Sequence, residues 1–194
     1  MGMENIFIIE HLDGKMHKWS LIEYKSASRI VGKDNLWVTN VKGNDKNVSE
    51  LRKHAKVLKE SVKEMKLQKV CVLDPDANKL LVTADKNGFT YFIFGGILGD
   101  YPPRKRTKEE LTRFLPDCDK RNIGKKQFST DNAIYVTHEI LSGKEFAKMK
   151  FKNKLTIKMD EILSLDLPYY YPVIEGKQRI SDELLDYLKK KKGF

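Results

Sequence analysis

Three turns in the sequence carry residues suited to holding a small ligand. They lie at residues 73–75, 94–100 and 123–131, and each comes at or after the end of an apolar or small-residue stretch. Small or apolar side chains with available backbone amides favour a neutral heterocycle held by main-chain hydrogen bonds. A phosphate loop is not indicated, because the Gly-x-x-x-x-Gly-Lys-Ser/Thr pattern is absent and Gly96 and Gly99 lack the spacing of a dinucleotide turn.

The middle turn is the one around which the others are arranged. Aromatic and β-branched residues at 91–94 predict a buried strand, and the glycines at 95, 96 and 99 follow where the chain must turn or admit a group close to its backbone. The alternative is a glycine-rich turn that only reverses the chain. Because this strand is the fourth in a series of alternating strands and helices, we favour a ligand site.

The elements that would position these turns follow from hydrophobic periodicity. Short apolar runs predict strands at residues 6–9, 36–39, 70–73 and 91–94. Apolar residues at helical spacing, with capping residues, predict helices at 15–31, 51–65, 107–116 and 129–143, and a last one from Ser181. Residues 80–82 favour a helix over a strand, 155–159 an edge strand, and 167–172 an irregular aromatic segment.

This alternation predicts an α/β fold with a mostly parallel sheet and helices on both faces. Ligands of such sheets bind beyond the carboxyl ends of the strands, where the three turns would meet. We expect one domain over residues 1–150, with residues 151–194 as a C-terminal extension packed on it.

The charge balance favours an anionic partner. The 194-residue chain carries 37 Lys and Arg against 27 Asp and Glu, a net charge of +10. Nucleic acid or a ribonucleoprotein is the leading candidate, and the alternative is a lysine-rich surface that serves only solubility.

Cysteine usage and the amino terminus indicate the compartment. Cys71 and Cys118 are far apart and form neither a zinc motif nor a disulfide framework, so we expect no metal. No basic and apolar leader begins the chain, and no apolar run reaches the roughly 18 residues of a membrane span. We therefore expect a cytoplasmic protein with no membrane partner.

Four sequence blocks carry a resemblance to a known family. They are residues 7–12, 21–24, 95–107 (Gly-Gly-Ile-Leu-Gly-Asp, then Pro-Pro and Arg-Thr) and 127–133 (Gln-Phe-Ser-Thr-Asp-Asn-Ala). In this order they resemble the archaeal and eukaryotic branch of the SPOUT methyltransferases, described as S-adenosylmethionine-dependent RNA methyltransferases. The resemblance implies a C-terminal trefoil knot with S-adenosylmethionine held among three loops, which correspond to the three turns above.

The resemblance also implies which residues contact the cofactor. These are Leu73, Asp74, Gly95, Gly96, Ile97, Leu98, Gly99, Ile123, Gly124, Gln127, Phe128, Thr130 and Ala133.

Methyl transfer to a hydroxyl, amide or guanidinium needs a group that accepts a proton. The candidates are Glu10, Asp100 and Asp131, although Asp131 precedes a helix and we favour a role as its cap. Glu10, at the end of a strand, could hold a guanidinium with both oxygens if the substrate is arginine. Arg106 is a candidate contact for an anionic substrate or the cofactor carboxylate, and its alternative is a solvated basic loop.

Three functions remain open on the sequence alone. The main interpretation is methylation of transfer or ribosomal RNA. The first alternative is a protein arginine methyltransferase acting on a ribosomal protein, as the resemblance to fungal members of this branch implies. The second is a non-catalytic RNA- or ribosome-binding module. The aromatic residues 169–171 could stack on bases, but we favour a core lid, and the protein is expected to be a monomer or homodimer.

Overall fold

A computed structural model describes residues 5–98, 106–159 and 164–190. Six strands form one sheet in the order β3-β2-β1-β5-β4-β6, and every neighbouring pair is parallel. The strands are β1 Ile6–His11, β2 Leu36–Thr39, β3 Lys56–Val57, β4 Val70–Leu73, β5 Tyr91–Gly96 and β6 Asp119–Arg121. The predicted α/β class with a mostly parallel sheet is confirmed, whereas the trefoil knot stays a prediction.

Five α-helices accompany the described strands. They are α1 Lys18–Val31, α2 Lys46–Leu51, α3 Asp85–Gly88, α4 Thr130–Leu141 and α5 Asp182–Lys190. Helix α1 ends at Gly32, whose φ of 85° suits a residue without a side chain. Asp45 caps α2 by accepting hydrogen bonds from the amides of Asn47 and Val48. The helix predicted after Arg106 is a π-helical turn, Thr107–Leu111, followed by a short 3-10 turn, Thr112–Phe114.

The sheet has a different cover on each face. One face packs against α1 and α4, and contributes Phe7, Ile9 and Phe92 to a shared core. The opposite face, with Ile8, is covered by the irregular segment 58–69 and by the turns at residues 107–114. The buried strands are therefore apolar on both sides, as parallel strands require.

The helix predicted at residues 51–65 is wrong. Helix α2 ends at Leu51, and the chain then forms β3 and an irregular segment. Leu51 and Ala55 belong to the core on one face of the sheet, whereas Val62 and Met65 belong to the other. The spacing of apolar residues thus matched a helix by coincidence, because the chain crosses the sheet edge between them.

Two further expectations are corrected. Residues 80–82 are not helical; Leu80 forms a single parallel bridge with Asn122, and the chain there runs along the sheet edge. Strand β6 was missed because its polar residues give no apolar signal. It is held instead by Arg121, whose guanidinium donates to both carboxylate oxygens of Asp85 at 3.0 to 3.2 Å.

The C-terminal segment forms a second, antiparallel sheet. Its strands are β7 Phe151–Lys158, β8 Ser164–Ile174 and β9 Lys177–Gln178. The edge strand predicted at 155–159 is therefore longer and starts earlier, and the supposedly irregular residues 167–172 lie within β8. This sheet and α5 pack on α1 through a cluster containing Ile22, Ile157, Leu167, Tyr171, Leu184 and Leu188.

The division at residue 150 stays a prediction. Over the described ranges 5–98, 106–159 and 164–190, no helix is both long and apolar enough to cross a bilayer.

Candidate active site

A cleft of about 580 Å³ opens at the carboxyl ends of β4 and β5. Its volume lies within the range of about 300–1,000 Å³ that is typical of small-molecule sites. The three predicted turns converge on it, and the C-terminal sheet supplies a fourth wall. The predicted cofactor contacts that line the cleft are Leu73, Asp74, Gly95, Ile97, Ile123, Gly124, Gln127, Phe128, Thr130 and Ala133.

Gly96 does not face the cleft, contrary to the prediction. A Cβ atom at this position would overlap the Tyr24 hydroxyl and lie 2.6 Å from Cγ2 of Ile9, both in the core beneath the sheet. Successive residues of a strand point to opposite faces, so Gly95 points to the cleft and Gly96 away from it. Gly96 is required for packing against α1 rather than for ligand access.

Leu98 also lies apart from the cleft lining. Its backbone amide donates to Oδ2 of Asp13 at 2.9 Å, so the residue anchors the end of the glycine turn. Gly99 and Asp100, predicted as a cofactor contact and a catalytic base, lie outside the described residues.

Asn122 organises the turn that follows β6. Its side-chain nitrogen donates to the carbonyls of Ala77 and Lys79, and its oxygen accepts from the amide of Gly124 at 3.0 Å. Gly124 has a φ of 97°, and a Cβ there would lie 2.8 Å from the ring of Phe146. Both the backbone conformation and the close ring therefore require glycine.

The 73–77 turn places a carboxylate at the cleft. Oδ1 of Asp74 accepts from the amide of Asp76 at 2.8 Å, which closes the turn. The other oxygen of Asp74 has no hydrogen-bond partner within the part of the chain that is described. Asp74 thus keeps one acceptor for a ligand.

An aromatic cluster forms the wall opposite the sheet. The ring of Tyr170 on β8 stacks on Phe151 at 4.8 Å between centroids, and Phe128 lies 5.4 Å from Tyr170. The amide of Tyr170 donates to the carbonyl of Gln127 at 2.8 Å, which joins β8 to the third turn. Tyr171 is buried on the other side of the strand, as a core lid would be, whereas Tyr170 lines the cleft.

Residues of the C-terminal sheet that line the cleft were missed by the sequence reasoning. They are Asn153, Lys154, Pro168, Tyr169 and Tyr170. The sequence shows consecutive tyrosines at 169–171, but no local pattern indicates that strands β7 and β8 fold back to the first sheet.

Arg106 lies at the cleft in an ion-pair network. Its Nε donates to Glu110 at 2.6 Å, and its Nη2 approaches Oδ1 of Asp13 at 3.3 Å. Asp13 also accepts from Leu98, so these contacts tie the helical turn at 107–111 to the glycine turn. Arg106 is therefore a positioning residue, and sequence reasoning missed Asp13 because a lone aspartate after a strand carries no distinctive signal.

Glu10 is not at the cleft, and its predicted role as a base or guanidinium ligand is not supported by its position. The side chain is fully buried and accepts hydrogen bonds from the hydroxyls of Thr39 and Ser61 and from the amide of Val62 at 3.1 Å. Both carboxylate oxygens of Glu10 accept hydrogen bonds, and these bonds connect the irregular segment 58–69 to the end of β1.

Asp131 is also turned away from the cleft. It accepts from Ser26 and Ser129, each at 2.8 Å, and forms a buried ion pair with Arg179 at 3.0 Å. The carboxylate lies in the first turn of α4, where negative charge is favourable. It fastens the segment before α5 to α1 and α4, and it is unsuited to act as the base.

Glu23 lies beside this ion pair, behind the cleft wall. It accepts from Nε1 of Trp19 at 2.6 Å and from the amide of Thr130 at 3.2 Å. Burial, with the neighbouring charge of Asp131, raises the pKa of Glu23 from 4.5 to about 8. At neutral pH its carboxyl is therefore mostly protonated, which lets two acidic side chains share the site with one arginine.

The cleft fits the adenosyl and methionyl groups of S-adenosylmethionine. Its walls are apolar at Leu73, Ile97 and Ile123, which suits an aromatic heterocycle. In the third turn the amides of Lys126 and Phe128 have no partner among the described residues, so they can donate to a ligand. The residues present thus match the cofactor that the resemblance implies.

Comparison with known proteins agrees with this geometry. Residues 6–193 match the family described as Protein arginine N-methyltransferase SFM1-like. The yeast protein arginine N-methyltransferase SFM1, from Saccharomyces cerevisiae, is 34% identical over 200 residues, which covers 95% of this chain and 94% of the relative.

Solved structures show the same fold. The crystal structure of the yeast arginine methyltransferase SFM1 complexed with SAM has a TM-score of 0.85 and 30% identity, covering 97% of this chain and 91% of that one. The crystal structure of dual specific Trm10 from Thermococcus kodakaraensis matches with a TM-score of 0.58, covering 73% of this chain and 95% of its own. At 17% identity, this second likeness shows the SPOUT-type fold alone. The chain therefore belongs to the SFM1-like protein arginine N-methyltransferase family.

Proposed function

We propose that this protein transfers a methyl group from S-adenosylmethionine to arginine side chains of a protein substrate. The protein is an S-adenosylmethionine-dependent methyltransferase of SPOUT type, and the choice of acceptor is the proposed part. The observation that carries it is the family match over residues 6–193, with a full-length yeast relative that is a protein arginine methyltransferase. These relatives support the alternative drawn from the sequence better than its main interpretation, methylation of RNA.

The cofactor supplies an electrophilic methyl group on a positively charged sulfur. In the transfer, a guanidinium nitrogen of the substrate forms a bond to the methyl carbon while the carbon–sulfur bond breaks. The sulfonium becomes a neutral thioether, and the nitrogen gives up one proton. The protein must therefore hold the guanidinium in line with the methyl group and provide an acceptor for that proton.

Among the described residues, Asp74 is the best placed for the second task. It lines the cleft, is 4% exposed, and retains one carboxylate oxygen without a partner in the described part of the chain. A carboxylate there attracts a guanidinium and can accept its proton directly or through water. The aromatic wall of Phe128 and Tyr170 excludes water from the other side of the cleft and offers a face on which a guanidinium can stack.

Labelled-methyl transfer tests the proposal. The protein is incubated with methyl-labelled S-adenosylmethionine and, separately, with total RNA, ribosomal proteins and intact ribosomal subunits. We expect label that survives nuclease and is lost to protease. Label that survives protease and is lost to nuclease would contradict the proposal and restore RNA as the substrate.

Asp74→Asn is the matched variant, because it keeps the size and the hydrogen bond to the amide of Asp76. We expect kcat to fall at least tenfold while the cofactor Kd changes little. Unchanged kcat in this variant would remove Asp74 from the reaction without affecting the assignment of arginine as the substrate.

A further inference from the structure

A second groove, of about 470 Å³, lies on the C-terminal sheet outside the cleft. It runs between β7, β9 and α5. Its floor is formed by apolar side chains that are only half-buried, among them Leu155, Ile180 and Leu185. Since these side chains are packed on one side and open on the other, the groove offers apolar anchoring sites to a partner.

Lysines surround this floor. Lys152, Lys158, Lys177 and Lys189 all line the groove and are all exposed. The ammonium group of none of the four has an ion-pair or hydrogen-bond partner among the described residues, in contrast to Lys154 nearby, whose Nζ pairs with Asp166 at 2.8 Å. The groove therefore presents uncompensated positive charge on its rim.

The composition of the groove favours an acidic protein segment over nucleic acid. A single-stranded nucleic acid site needs aromatic rings on which bases stack, and none of the described residues that line the groove is aromatic. Apolar floor residues would instead contact aliphatic side chains, while lysine ammonium groups would pair with carboxylates of the same segment. An acidic segment with apolar residues satisfies both features at once.

Strand β7 connects the groove to the cleft. The pairing register of β7 shifts between Asn153 and Leu155, and Lys154 has a φ of 55°, which marks a bulge. Asn153 lines the cleft, whereas Lys152 before the bulge and Leu155 and Ile157 after it line the groove, so the strand borders both. Ile157 lies four residues after Asn153, which at about 3.3 Å per residue is about 13 Å along the strand, a distance that four or five extended substrate residues cover.

We propose that this groove is a docking site for the protein substrate, which binds it through an acidic segment with aliphatic side chains placed a few residues from the target arginine. The assignment rests on the proposed function in taking the partner to be the methyl acceptor. The groove would select among arginines that the cleft alone could not distinguish, because every exposed arginine offers the cleft the same guanidinium.

Binding is tested first, without reference to activity. The probe is a fluorescein-labelled peptide of alternating Glu and Leu, measured by anisotropy against the wild type, Lys152→Glu/Lys177→Glu, and the control Lys33→Glu/Lys42→Glu. The control changes the net charge equally at two exposed lysines elsewhere. We expect Kd to rise at least tenfold in the groove variant and less than twofold in the control, with wild-type binding weakened by salt.

Equal affinity of both variants for the peptide would overturn the proposal. So would an oligouridine probe that binds the wild type more tightly than the peptide and is lost in the groove variant, because the groove would then be a nucleic-acid site. Cofactor binding by calorimetry, unchanged in both variants, shows that they are folded.

The catalytic arm then uses two arginine peptides, one with and one without the Glu-Leu segment after the arginine. We expect the segment to lower KM in the wild type and to have no effect in the groove variant. Absence of methylation of either peptide, with peptide binding still lost in the groove variant, would count against the arginine assignment but not against the groove.

Discussion

Two adjacent glycines at the end of β5 allow a sharp test of the site, because they face opposite sides of the sheet. A Cβ at Gly95 would lie 3.3 Å from Oγ1 of Thr107 and 3.4 Å from Cδ1 of Ile97, two residues that line the cleft. A Cβ at Gly96 would meet Tyr24 and Ile9 at distances that no packed structure tolerates. Substitution by alanine should therefore separate ligand binding from stability.

The expected magnitudes follow from these contacts. Gly96→Ala forces Tyr24, 1% exposed, out of its place and breaks its 2.9 Å hydrogen bond with His11. Overpacking costs about 1–3 kcal/mol and the lost hydrogen bond about 1 kcal/mol, so we expect the free energy of unfolding to fall by about 3 kcal/mol. Gly95→Ala needs shifts of only a few tenths of an ångström, and its stability should change by less than about 1 kcal/mol.

For cofactor affinity we expect the opposite order, with Gly95→Ala affected more than Gly96→Ala. The added methyl group of Gly95→Ala narrows the cleft, and we expect the Kd for S-adenosylmethionine to rise about tenfold, equivalent to about 1.4 kcal/mol. Gly96→Ala, measured at a temperature where it is folded, should bind within about threefold of the wild type. Urea unfolding and titration calorimetry give the two quantities, and a Gly96→Ala protein of normal stability and poor affinity would refute this geometry.

Three further predictions concern buried polar groups. Folding raises the pKa of Glu23 from 4.5 to about 8, so the folded state binds more protons than the unfolded state. The free energy of unfolding of the wild type should therefore fall relative to that of Glu23→Gln as pH rises from about 5 to 8, by at most about 5 kcal/mol. Parallel pH profiles of the two proteins in urea unfolding would show that the Glu23 carboxyl is ionised throughout this range. Glu10→Ala removes the acceptor for the hydroxyls of Thr39 and Ser61 and for the buried amide of Val62, and it should lower the free energy of unfolding by about 3 kcal/mol. Normal stability with lost methyl transfer would instead restore the catalytic role of Glu10. Arg179→Met leaves Asp131 buried without its counter-ion and should cost about 3 kcal/mol in chemical denaturation, and an unchanged unfolding midpoint would show that the pair contributes nothing to holding α5.

Local patterns predicted the central strands and turns because burial on both faces dictates their composition. Residues 70–73 and 91–94 are apolar for that reason, and locating these strands also locates the turns that directly follow them. Strand β6 could not be found in this way, since its residues are polar and its position depends on the ion pair of Arg121 with Asp85. The prolines and tyrosines of β8 likewise hid a strand, which pairs with β7 from Lys158–Ser164 to Phe151–Pro172.

The sequence predicted the site residues that come directly after the ends of strands. It did not predict those whose positions depend on packing between segments that are distant in the chain. Gly95, Ile123 and Gly124 line the cleft because the carboxyl ends of parallel strands meet. The hydrogen bonds of Glu10 with the 58–69 segment, and of Asp131 with Arg179, connect residues far apart in the chain. Their carboxylates resembled available bases only because those partners could not be seen in the sequence.

The most direct test of the account is the chemical identity of the methylated product. Protein labelled by the enzyme from methyl-labelled S-adenosylmethionine is hydrolysed to amino acids, and the labelled species is identified by mass spectrometry. The account predicts label in methylarginine, reduced by Gly95→Ala when the cofactor is limiting and restored when it is in excess. Label recovered in methylated nucleosides, or in another amino acid, would contradict it.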